Sequence, residues 1–89
     1  MSPHAFSFKL TVPNDLAAIA VVTAVVSHAV EYAAIDAGRR TAFIERVRAA
    51  AEKALADRGH SHSPVEFTAA EGQLTVTIGH HAVSEPLPS

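Results

Sequence analysis

"SPVEFTAAEGQLTVTI", residues 63–78, reads as two strands joined by a tight turn. Val65 and Phe67 point one way while Glu66 and Thr68 point the other. After the turn, Leu74, Val76 and Ile78 alternate with Thr75 and Thr77. A period of two marks a half-buried strand, because successive side chains leave opposite faces of the pleat. Glu71-Gly72 lies between the runs, and glycine takes a positive φ without steric cost. The two runs therefore form a hairpin with one apolar face and one polar face.

Upstream, "AFSFKLTV" (residues 5–12) alternates in the same way, with Phe6, Phe8, Leu10 and Val12 against Ser7, Lys9 and Thr11. Pro13 stops this strand, and Asn14 or Asp15 can cap a helix by accepting a bond from a free backbone amide. The helix is predicted from about Asp15 to about Asp36, with Gly38 closing it. A second helix follows from about Arg40 to Arg58, its apolar face formed by Phe43, Val47, Ala50, Ala51, Ala54 and Leu55. Gly59 stops it. The order is strand, helix, helix, strand, strand. Each strand has one apolar face, so both helices belong on the same side of the sheet. The expected fold is α+β: a two-layer open sandwich, order β-α-α-β-β, with a three-stranded, mostly antiparallel sheet and two helices on one face. It forms a single domain over 1–89, with a core at about 5–79 and a flexible tail, "HHAVSEPLPS", over 80–89.

Composition narrows the function. The chain is 48% hydrophobic and 18% charged, which suits a globular domain and not a disordered one. A formal net charge of -2 lacks the basic excess of a general nucleic-acid binder. Cysteine is absent, so disulfides and thiolate chemistry are excluded. Residues 16–30 are almost wholly apolar but too short for a span, which needs about 20 residues. The N-terminus lacks the pattern of a signal peptide, and a cytoplasmic location is expected.

The first helix is apolar on more than one face. Leu16, Ile19, Val22, Val26, Val30 and Ala33 form one stripe; Val21, Val25, Tyr32 and Ile35 form another, with His28 among them. A helix on a sheet needs one stripe. The second stripe must pack on the other helix or on another molecule. Because the second helix offers one stripe and must also cover the sheet, Val21, Val25, His28 and Tyr32 are the predicted contact with a second copy in a homodimer or a regulatory protein partner.

Residues 49–60, "AAAEKALADRGH", resemble the first ATP-site helix of the GHKL ATPases, in the branch of the anti-sigma-factor serine kinases. There the helix reads roughly Glu-Ala-x-x-Asn-Ala-x-x-His. Glu52 matches the glutamate, which acts on the attacking group, and His60 matches the terminal histidine. The resemblance spans about residues 5–78 and implies an ATP site with magnesium. The position of the magnesium-holding asparagine is Ala56, whose methyl cannot ligate a cation that demands oxygen. "TIGHHAVSEP" (77–86) stands in place of the family's Asp-x-Gly-x-Gly adenine loop. What the resemblance then implies is a shortened relative that has lost its nucleotide site and acts without catalysis through protein contacts in bacterial regulation. Residual binding of ATP with magnesium at Glu52 and His60 is the alternative.

Two further groups of side chains carry potential chemistry. His60, His62, His80 and His81 fall where a loop and a strand end can share one edge, but they lack a spacing as telling as HExxH, and no metal site is expected. Arg39, Arg40, Arg46, Arg48 and Arg58 concentrate positive charge on the second helix. The KH nucleic-acid module opens with the same element order, but the place of its Gly-x-x-Gly loop is taken by "DAGRRT", residues 36–41, with one glycine. KH-like nucleic-acid binding through these arginines is therefore only the third reading, behind protein contact and residual nucleotide binding, and a membrane is not an expected partner.

Overall fold

In a computed structural model, which describes residues 6–15, 17–56, 59 and 61–87, the chain runs β1 (Phe6–Pro13), α1 (Ala18–Tyr32), α2 (Ala37–Leu55), β2 (His62–Ala70), β3 (Gln73–Ile78) and β4 (His81–Pro86). The four strands form one antiparallel sheet in the order β1-β2-β3-β4. The two-layer α+β sandwich is as expected; the strand count and the tail are corrected. Residues 81–86 are a fourth strand, where three strands and a flexible tail over 80–89 were expected.

The physical reason for β4 is partly local and partly distant. Gly79, at φ 61, makes a two-residue turn with His80 and brings Ile78 opposite His81. Val83 then pairs with Val76, and Glu85 with Leu74, on the helix side of the sheet. Glu85 has only 11% of its side chain in water and lies between two guanidiniums of α2. Arg39 Nε donates to Glu85 Oε2 at 2.8 Å and Arg39 Nη2 donates to the Pro86 carbonyl at 3.1 Å; Arg46 Nη2 donates to Glu85 Oε1. These bonds hold the C-terminal strand under α2.

The β2–β3 hairpin closes as predicted. Ala70 pairs with Gln73, and Glu71 (φ 54) and Gly72 (φ 78) occupy the two left-handed positions of a type I′ turn. Val65, Phe67, Leu74, Val76 and Ile78 are fully buried beneath the helices, together with Phe43 and Val47 of α2. All six apolar α2 residues named from the spacing are in the core. On the other face the sheet is polar: Lys9 pairs with Glu66 at 3.8 Å, and the Thr75 and Ser84 hydroxyls are 3.0 Å apart.

α1 is shorter than predicted at both ends. It starts at Ala18, after Asp15 Oδ1 accepts the Ala17 amide at 2.9 Å. It ends well before Gly38, in a Schellman motif: the Ala34 amide donates to the Glu31 carbonyl and the Ile35 amide to the Val30 carbonyl, at 3.0 and 3.1 Å. The left-handed position is Ala34, at φ 60, where glycine is the usual residue. An alanine there carries strain between Cβ and the following carbonyl. Ala34→Gly is expected to stabilise the domain by about 0.5–1 kcal/mol after allowing for the looser unfolded chain. Urea unfolding checks this; a destabilised variant would contradict the assignment of the turn.

Candidate interaction surface

Three parts of the molecule carry the residues singled out from the sequence. The first is the side where β1 ends the sheet. α2 lies over β4 and β3, while α1 packs along α2 toward β1. α1 does not roof the β1 edge completely. Phe6 and Phe8, on the helix side of β1, and Val25, Ala29 and Tyr32 of α1 line an open groove of about 730 Å³, with His28 and Glu31 at its rim. The rings are ordered against one another. Phe8 stacks on Phe67 of β2 with centroids 4.7 Å apart, Phe6 stacks on Phe8 at 5.8 Å, and Tyr32 meets Phe6 edge-on at 5.2 Å.

The large hydrophobic side chains exposed among the described residues are Phe8 (41%), Val21 (50%) and Tyr32 (57%), and all three belong to β1 or α1. Val21, Val25, His28 and Tyr32, the stripe predicted to contact another molecule, lie on the flank of α1 that the rest of the fold leaves open or half-open. His28 is exposed, its Nδ1 4.0 Å from Glu31 on the next turn. Ile35, placed on the same stripe, instead turns into the core beyond the helix end. The alternation in β1 assigns Phe6 and Phe8 to the apolar strand face, but it holds no signal for whether a helix covers that face.

The second part is the ATP-like helix. Glu52 is exposed on the outer side of α2, away from the sheet, where a shallow groove of about 560 Å³ runs between the two helices. Arg48 and Glu52 line it from α2, and Ile19, Ala20, Thr23, Ala24 and Ser27 from α1. Its hydroxyls are committed to their own helix: Thr23 donates to the Ile19 carbonyl at 2.9 Å and Ser27 to the Thr23 carbonyl at 2.9 Å. Ala56 is the exposed residue at the C-cap of α2. His60, the other half of the predicted nucleotide pair, lies outside the described residues, as do Asp57, Arg58 and Leu16. Among the described residues the groove thus presents the Glu52 carboxylate and the Arg48 guanidinium, a set able to make an ion pair or grip a polar group.

The third part is the histidine edge. His62, His80 and His81 line one small cleft of about 160 Å³ beside Lys53, so the fold does bring the loop and the strand end together. Ser61 Oγ lies 3.1 Å from His62 Nδ1. Among the described residues no three histidine or acidic side chains are grouped to hold a metal ion. The arginines are largely committed within the fold: Arg39 and Arg46 to Glu85, and Arg40 through Nε to the Ile35 carbonyl at 2.6 Å. No helix among the described residues is long and apolar enough to cross a membrane.

Comparison of the chain with protein-family models, with curated proteins and with solved structures found no match.

Proposed function

We propose that this chain is a non-catalytic interaction module whose working surface is the β1–α1 side, and that it serves a regulatory role as a shortened relative of the anti-sigma-type ATPase domain. One observation carries the contact reading: among the described residues the exposed large hydrophobics all belong to β1 or α1, and Phe8 and Tyr32 line one groove. Aromatic side chains bury about 150–250 Å² each, so Phe8 and Tyr32, near half exposed, leave roughly 200 Å² of ring surface in water. With Val21 and Val25 the patch reaches the few hundred Å² of the largest apolar patch on a typical monomer, a patch that is often functional. The regulatory part rests on the resemblance around Glu52.

Loss of nucleotide chemistry fits the groups present. Phosphoryl transfer depends on metal-held phosphates and positioned charge. The α1–α2 groove offers Glu52 and Arg48, with a methyl where the resembling helix carries its magnesium ligand. A calorimetric titration with ATP and magnesium is expected to give no saturable heat, and saturable heat would overturn the non-nucleotide reading. For the contact reading, association should be lost in Val25→Glu with the circular dichroism spectrum unchanged, and retained in Glu52→Gln. The reverse pattern would move the working surface to the outer groove.

A further inference from the structure

The last strand of a sheet leaves a row of unpaired amides and carbonyls, and native folds guard such rows with proline, inward-pointing charge or a covering element. The two edges of this sheet differ in that respect. β4 has all three guards: Glu85 points inward between Arg39 and Arg46, Pro86 has no amide to offer, and α2 lies over the strand. Among the described residues nothing pairs with the outer edge of β1 along its middle. Its one proline, Pro13, stands at its end, and its one charge, Lys9, faces the polar side with Glu66. Phe6 and Phe8 meet the groove at this edge. Above it, Val21, Val25, His28 and Tyr32 follow one another at spacings of four, three and four, the rhythm of a helix–helix seam.

We propose that the occupant of this face is a second copy of the chain, joined across a two-fold axis normal to the sheet; the proposal rests on the interaction-module reading above. β1 pairs antiparallel with the partner's β1, and α1 packs antiparallel against the partner's α1. The same axis serves both layers, because antiparallel strands and antiparallel helices are each self-complementary under a two-fold. The seam repeats symmetrically, with Val21 against the partner's Tyr32 and Val25 against the partner's His28. The strands then form one eight-stranded sheet, and the two open grooves close on each other.

Charge and face limit the register. The helix sides of both strands match only when even-numbered β1 residues oppose even-numbered ones, since a slip of one residue turns every side chain over. Lys9 opposite the partner's Lys9 would set like charges together, which is unfavourable. Phe8 opposite the partner's Phe8, or Leu10 opposite the partner's Leu10, avoids this. Apart from Lys9, the charged side chain of β1 and α1 is Glu31, which faces His28 on its own helix at 4.0 Å.

The area reaches the lower bound for a specific interface. An eight-residue strand is about 27 Å long at ~3.4 Å per residue, and a sheet with a helix layer beside it is roughly 20 Å deep. That strip offers about 500 Å² per copy, or about 1,000 Å² in the pair, the size at which a specific interface becomes credible.

Sedimentation velocity of the full chain at rising concentration tests the proposal, together with cysteine variants made possible by a cysteine-free sequence. The expected species has twice the chain mass of 9.3 kDa. Val21→Glu buries two carboxylates against apolar surface and should weaken the dimer at least about a hundredfold, with an unchanged circular dichroism spectrum. A short bismaleimide should cross-link Lys9→Cys to itself and leave Ser84→Cys, at the other edge, monomeric. A monomer at every concentration, or cross-linking through Ser84→Cys alone, would overturn the proposal. A monomer that binds a different protein, and loses it in Val25→Glu, would overturn only the identity of the occupant and leave the interaction-module reading standing.

Discussion

Phe67→Ala is expected to cost about 3–5 kcal/mol, the range for removing a fully buried aromatic ring from a packed core. Phe67 is at 0% exposure on β2, an inner strand, with β1 on one side and β3 on the other. Its ring supports Phe8 at 4.7 Å with an interplanar angle of 13°. The loss therefore has two parts, the cavity beneath the helices and the support under the exposed groove. At ~0.05–0.15 kcal/mol per residue, a chain of 89 residues has roughly 4–13 kcal/mol of total stability, so this one change should bring the domain close to its limit. Phe8→Ala should cost less, about 1–2 kcal/mol, because 41% of that residue is already in water. Urea unfolding of the two variants gives the comparison. Equal losses would mean that the groove side is packed as tightly as the core, contrary to an open β1 edge.

The second large effect is expected at the Arg39–Glu85–Arg46 cluster. Removing both guanidiniums in Arg39→Ala/Arg46→Ala leaves the Glu85 carboxylate on the helix side of β4, beneath α2, without either cationic partner. Stripping one side of a buried pair costs about 3–5 kcal/mol. The arginine side chains are 44% and 52% exposed, so screening places this case at the low end, about 3 kcal/mol. Each single arginine variant should lose only about 1 kcal/mol, because the other guanidinium still satisfies Glu85. A third change separates charge from packing. Glu85→Leu in the double-variant background should recover much of the loss, since an apolar residue facing Leu74 needs no partner. If the double variant is as stable as the parent, the cluster does not hold β4 in place. If Glu85→Leu recovers nothing, the loss lies in the α2 stems and not in the stranded charge.

The part of the fold that could be read from the sequence is the part held by local periodicity. The α2 face from Phe43 to Leu55 and the alternation on both sides of Glu71-Gly72 are visible because each element shows the core a single apolar face. β4 is hidden because its strongest tie is distant. Glu85 is 46 and 39 residues from the two arginines that bury it, and in one dimension "HHAVSEPLPS" looks like a polar, proline-bearing tail. The end of α1 is hidden for another reason. Ala34 takes a left-handed conformation with no residue type to announce it, while Gly38 advertises a stop it does not make. The candidate site is half legible. Val21, Val25, His28 and Tyr32 follow from the surplus of apolar surface on α1. The contribution of Phe6 and Phe8 depends on which strand ends the sheet and how far the helix layer reaches: β1 is terminal, and α2 lies over β4 and β3 toward the opposite edge.

Pairing through β1 and the flank of α1 is tested most directly by peptide-resolved hydrogen exchange on the full chain in dilute and concentrated solution. Pairing predicts that amides in 6–13 become more protected as concentration rises, with slower exchange along the outer part of 18–32 and no change in 81–86. Exchange independent of concentration in 6–13, or protection gained only in 81–86, would contradict it.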